Sequence, residues 1–96
     1  MWIVLESRKA EKQIDRLPIH LLKRHEKWKD IVAISGIDGL KQIKGFYDHA
    51  LSGNLKAYRS SYLNEAYRVI YHQDKDRILI EVLEVNAHNY KIKGMT

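Results

Sequence analysis

The sequence predicts an α+β fold, with an N-terminal strand and two helices packed on one face of a small antiparallel sheet. Three observations predict it. Apolar residues recur at helical spacing from Ser7 to about Ser35. The period switches to two beyond Leu55. A chain of 96 residues supports one modest core, so residues 1–96 are read as a single domain.

The elements follow in order. "MWIVLE" is a short apolar strand. "SRKAEKQIDRL" has helical spacing, with Ser7 as N-cap and Ala10, Ile14 and Leu17 on one side. Pro18 interrupts this helix and suits the first turn of a second one, which runs to about Ser35. Leu21, His25, Trp28 and Val32 continue the apolar stripe, leaving Lys23, Arg24, Lys27 and Lys29 on a solvated face. Gly36 and Gly39 end the helical region, and a loop-rich passage follows with one helical turn at "LKQI". "LKAYRSSYL", "AYRVIYH" and "RILIEVLEV" then read as three strands joined by two-residue turns at Asn64–Glu65 and Asp74–Lys75.

Those turns sort the side chains. Residues directly opposite one another share a face, so Tyr58, Tyr62, Tyr67, Val69, Tyr71, Ile78, Ile80 and Val82 are expected under the helices. Arg59, Ser61, Arg68, Ile70, His72, Leu79 and Glu81 are expected on the open face.

Composition narrows the function. Seventeen Lys and Arg against twelve Asp and Glu give a formal charge of +5, which favours a polyanionic partner, nucleic acid first. The absence of cysteine removes disulfides, thiol nucleophiles and thiolate zinc sites, and fits a reducing cytoplasm. No apolar run has membrane-spanning length, and "MWIVLESRKAEK" lacks a signal peptide's apolar core, so no membrane partner is expected. The histidines lack metal-type spacing and "SGIDG" matches no phosphate loop, so neither metal nor cofactor is expected.

The chemistry-bearing residues gather around the strands. Arg59 and Arg68, read as diagonal neighbours on the open face, repel unless an anion sits between them, and a phosphodiester suits their planar forks. The alternative is pairing with an acid, Glu81 in the case of Arg68. His49 lies in "YDHALSGN", and His88 and Tyr90 follow the last strand in "NAHNYKIK". These are groups that can take a proton from a ribose 2′-hydroxyl and return one to a leaving 5′-oxygen, while arginine stabilises the phosphate. Unbroken alternation along the last strand aims His88 at the helices, so a bend near Asn86 is needed to bring it beside Arg68. His20, His25 and His72 are read as structural or merely exposed, with His25 at the helix–sheet contact.

The stretch "DHALSGNLKAYRSSYLNEAYRVIYHQDKDRILIEVLEVNAHNY" resembles the C-terminal half of RelE/ParE superfamily toxins of type II toxin–antitoxin modules. The resemblance rests on "H-x-L-x-G", then "YRS", then "YRVIY", then an apolar strand ending in "H-x-Y". It implies a RelE-like fold and an mRNA interferase, an endoribonuclease that cuts mRNA on the ribosome without a metal. It also implies a cognate antitoxin and a cytoplasmic site of action. Carried over, Arg68 matches the arginine at the transition-state phosphate, Arg59 a basic residue beside it, and Lys56 a backbone contact. His49 matches the histidine of "DHPL" toxins of the YafQ branch. His88 and Tyr90 match the acid–base and base-orienting positions. The chain departs from those branches at Ala50, Ser61 and Tyr62, and it lacks the basic run of RelE proper. The alternative within the superfamily is a ParE-like inhibitor of DNA gyrase with no catalysis. A third reading is a relative that only binds its antitoxin or RNA. Ile70, Leu79 and Leu83 on the open face suit a surface covered by such a partner, or by a loop or the tail.

Overall fold

Ser7 joins the first strand to the first helix and ties both to the last strand. In the computed structural model, which describes residues 1–87, β1 (Ile3–Glu6) is followed by α1 (Arg8–Asp15). The Ser7 hydroxyl accepts from the Ala10 N–H at 3.0 Å, capping the helix, and donates to the Leu83 carbonyl at 2.8 Å. Gln13 Oε1 accepts from the Val85 N–H at 2.7 Å. Polar side chains at α1 thus satisfy the edge of β5 (Leu79–Ala87) where β1 no longer covers it.

The helical stripe falls where its spacing puts it. Pro18 caps α2 (Ile19–Lys41), and Leu21, His25, Trp28 and Val32 are buried. The Trp28 ring meets Tyr71 of the sheet edge-on at 5.1 Å, with neither side chain exposed. Losing such a buried aromatic typically costs about 3–5 kcal/mol. The helix is broken at Gly36, whose φ of 65° lies in the left-handed region. A Cβ there would lie 2.7 Å from Trp2 Nε1, so glycine is required sterically as well. Beyond it the helical backbone resumes and buries Ile37 and Leu40, which is more helix than the single turn expected.

The described residues form a sheet of five strands in the order β1-β5-β4-β3-β2, comprising β2 (His49–Ala50), β3 (Tyr58–Tyr62) and β4 (Tyr67–Asp74) besides β1 and β5. β1 runs parallel to β5, and the other pairs are antiparallel. β2 is too short to register as a period-two pattern.

Both hairpins differ from the expected two-residue turns, with opposite consequences. Tyr62 pairs with Arg68 and Leu63 N–H bonds to the Tyr67 carbonyl, leaving Asn64–Ala66 as the loop. Asn64 Oδ1 accepts from the N–H groups of both Ala66 and Tyr67, and this longer side-chain-held turn slips the register by one. The slip corrects four placements. Tyr58 and Tyr62 face away from the helices, and Arg59 and Ser61 face them. At the other hairpin Asp74 pairs with Leu79, so the loop is longer by an even number and the parity survives. Asp74 Oδ1 accepts from the N–H groups of Asp76 and Arg77 there, and Ile78 is forced to a φ of 54°.

A bulge then re-aims the end of β5. Tyr71 pairs with Val82 but Ile70 pairs with Glu84, so Leu83 is the extra residue. Val82 and Val85 both enter the core, while Glu84 and Asn86 join the face of Ile70 and Arg68. Unbroken alternation, on which the expected direction of His88 rests, therefore does not hold along this strand. Of the apolar residues expected on the open face, Ile70 is buried and Leu79 and Leu83 are half-buried. Ile3 and Leu5 of β1 are exposed.

Candidate active site

The site is built by a reversal at Tyr47. A short 3-10 turn, Lys44–Phe46, buries Phe46 and ends with Tyr47 in left-handed backbone, φ 44° and ψ 42°. The chain then enters β2 with Asp48 and His49 on opposite sides of the sheet.

On the helix side, the Asp48 carboxylate has no exposed surface. It accepts hydrogen bonds from Arg59 through Nε and Nη2, from Ser61 Oγ at 2.7 Å and from the Tyr71 hydroxyl. Arg59 Nε also donates to the Tyr71 oxygen. A buried carboxylate needs this many donors to offset its lost hydration. Burial, then the Asp48 charge and hydrogen bond, push the Tyr71 hydroxyl far above its ordinary range, so it stays a proton donor. Burial alone would lower the Arg59 guanidinium, but the Asp48 hydrogen bond and charge outweigh it and raise it. Arg59 is thus a paired residue beneath the sheet. The phosphate clamp expected between it and Arg68 is not formed, because the slipped register puts the two arginines on opposite faces.

On the far side, His49 pairs with Ser60 and stands on the face that carries Tyr62 and Arg68. His49 Nδ1 lies 2.7 Å from the Tyr47 carbonyl. A carbonyl only accepts, so Nδ1 carries a proton, and Nε2 is the nitrogen left to exchange one. Tyr62 is the platform between the neighbouring groups. The His49 ring meets it edge-on at 6.2 Å, the Tyr47 ring is tilted at 5.1 Å, and the Arg68 guanidinium lies 3.4 Å over its centroid.

Arg68 pairs with no carboxylate among the described residues; Glu81 faces His72 instead, at 3.6 Å. Its Nη1 donates to the carbonyls of Asn64 at 2.9 Å and Glu65 at 2.7 Å, which fixes the loop and the guanidinium together. Its Nε is buried with no partner among the described residues. The result is a largely buried positive charge, Arg68 being 5% exposed, held by neutral groups.

Lys56 is exposed just past the 3-10 turn Gly53–Leu55. His88 and Tyr90 lie outside the described residues. His25 occupies the helix–sheet contact expected of it, with Nε2 bonded to Glu6 at 3.0 Å and its ring stacked on Trp28. Burial lowers its pKa, and the Glu6 hydrogen bond only partly restores it. Two elements of the site escape a sequence reading, the Tyr47–Tyr62 platform and the Asp48 anchor. The first depends on the slipped register, and the second shows in the sequence only as an acid beside a histidine.

No family model matches the chain, and no curated protein matches it. Solved structures do. The archaeal RelE–RelB complex from Pyrococcus horikoshii OT3 matches at a TM-score of 0.70 and 21% identity, over 93% of this chain and 97% of that one. The YoeB–YefM complex from Staphylococcus aureus matches at 0.70 and 16%, over 92% and 98%. YafQ from E. coli strain BL21(DE3) matches at 0.65 and 18%, over 97% and 100%. Over nearly its whole length the chain has the α+β fold of the RelE-like toxins, as the sequence resemblance implies.

Proposed function

We propose that this chain is the toxin of a type II toxin–antitoxin pair, and that it is a metal-independent endoribonuclease acting on mRNA at the ribosome. The observation that carries the reading is a histidine whose Nδ1 is fixed on a carbonyl and an arginine that pairs with no carboxylate among the described residues, both against Tyr62. His49 Nε2 takes the proton of a ribose 2′-hydroxyl. The freed oxygen attacks the adjacent phosphorus, and Arg68 stabilises the charge that grows on the phosphate oxygens. The bond to the 5′-oxygen breaks, and that oxygen receives a proton from His88 or Tyr90. The products are a 2′,3′-cyclic phosphate and a 5′-hydroxyl end. The likeness to solved toxin–antitoxin complexes supports an antitoxin partner, and the surplus of positive charge supports an acidic one.

The test is mRNA cleavage by purified protein in a translating extract, beside ribosome-free RNA in EDTA. The expected result is cuts within translated codons that disappear with His49→Gln and with the double change His88→Ala, Tyr90→Phe. Cleavage of free RNA in EDTA would keep the chemistry and discard the ribosome. No cleavage in either setting would sink the nuclease reading and make gyrase inhibition the next assay.

A further inference from the structure

Beside the catalytic cluster, a cavity of about 460 Å³ opens between α2 and the Asn64–Ala66 loop, within the range of roughly 300–1,000 Å³ common to small-molecule sites. Tyr47, Tyr62, Arg24, Asn64 and Glu65 contribute to its lining. We propose that this cavity receives the base of the nucleotide next to the scissile phosphate, with Tyr47 as the stacking surface and Glu65 as the discriminator among bases. The inference rests on the RNA-cleaving reading above and names the residues that would set its sequence preference.

Five features point to a nucleotide. The cavity shares a wall with the reaction site, because Tyr62 lines it and also holds Arg68 and His49. A base in the cavity and a phosphate at Arg68 would both lie against Tyr62. Tyr47 is 64% exposed in a left-handed conformation that a tyrosine rarely adopts. Such backbone strain, spent on presenting a large ring to solvent, is a known mark of ligand clamps. The Tyr47 and Tyr62 rings, 5.1 Å apart, are too close to admit a base between them, so the stacking face is the outer one of Tyr47.

Charge supplies the rest. The Arg24 guanidinium lies 4.3 Å over the Phe46 ring and pairs with no carboxylate among the described residues, so it adds a fixed positive charge at the cavity wall. Asn64 spends its Oδ1 on the loop, leaving its amide to donate. Glu65 brings the one acidic side chain of the lining. A carboxylate accepts from the amino groups of adenine, cytosine and guanine. Uracil has no amino group, and its one ring N–H is flanked by two carbonyl oxygens that repel the carboxylate. The pocket thus disfavours uracil.

The test uses an uncleavable 2′-O-methyl RNA hexamer carrying a single 2-aminopurine, whose fluorescence is quenched on stacking. Wild type is expected to quench the probe. Tyr47→Asn, which suits left-handed backbone, is expected to abolish the quench and weaken binding about tenfold or more. Exchanging 2-aminopurine for uracil is expected to weaken binding to wild type but not to Glu65→Gln. Unchanged quenching and affinity in Tyr47→Asn would overturn the subsite, as would no quench by wild type. A bias against uracil that Glu65→Gln leaves intact would remove Glu65 from it. Cleavage in the translating extract is read separately. Cutting by wild type without Tyr47-dependent quenching fails the subsite alone, whereas quenching without cutting fails the nuclease reading alone.

Discussion

Asp48 and His49 are neighbours in sequence and opposites in environment. Asp48 is enclosed on the helix side, where Arg59, Ser61 and Tyr71 turn their donors onto its oxygens. His49 stands on the far side with Nδ1 bonded to a carbonyl, beside an arginine whose Nε has no partner among the described residues. The helix-side cluster is closed and satisfied, as a device for holding β2 and β3 together must be. The far-side cluster is held in place but left incomplete among the described residues, which is what the proposed RNA site would need. Completeness of hydrogen bonding, rather than residue type, separates Arg59 from Arg68, the arginine proposed to act on phosphate.

The sharpest way to break this contrast is to change each side in turn. His49→Gln is expected to lower RNA cleavage by about 10²–10⁴-fold, the usual contribution of a positioned acid–base group. Its unfolding midpoint in urea should stay within about 1 kcal/mol of wild type. Asp48→Ala is expected to do the reverse. It leaves Arg59 buried without its partner and should destabilise the fold by about 3–5 kcal/mol, measured by urea unfolding. If Asp48→Ala stays as stable as wild type but cannot cut, the helix-side cluster belongs to the site.

A smaller effect separates the buried His25 from His49. Burial lowers the folded pKa of His25 beneath its unfolded value of about 6.5. The unfolded chain then binds the proton more readily, so stability is complete above about pH 6.5 and declines as the pH falls towards the folded value. Glu6, beside it, has its pKa lowered because the His25 hydrogen bond and the Lys29 charge outweigh the opposing effect of burial. Its contribution is present above the unfolded carboxylate value and is lost only at more acid pH. Urea midpoints at pH 8 and pH 5.5 should therefore differ in wild type, and the difference should shrink in His25→Phe. Smallest of all, Ile78→Asn relieves a β-branched residue of left-handed backbone and should raise stability by about 1 kcal/mol in thermal unfolding.

Much of this was legible in the sequence. The cap at Ser7, the stripe from Leu21 to Val32 and the three long strands all follow from local pattern, and so did His49 and Arg68 as candidates. What local pattern could not carry was register. A loop of Asn64–Ala66 in place of a two-residue turn exchanges the faces of β3, and it moved Arg59 under the helices. The even-numbered change at the other hairpin left the strand faces as expected but put Ile78, expected under the helices, in the exposed loop. The bulge at Leu83 arises from pairing against Ile70 and Tyr71 and has no signature in β5 itself. The Tyr47–Tyr62 platform depends on both the slipped register and a left-handed residue, so composition alone does not reveal it.

One paired experiment tests the contrast most directly: cleavage in a translating extract by His49→Gln and by Arg59→Gln, each corrected for its folded fraction by circular dichroism. The account predicts that folded Arg59→Gln cuts RNA at close to the wild-type rate while His49→Gln does not cut. Full activity in His49→Gln, or its loss in well-folded Arg59→Gln, would contradict the assignment of the active site to the face away from the helices.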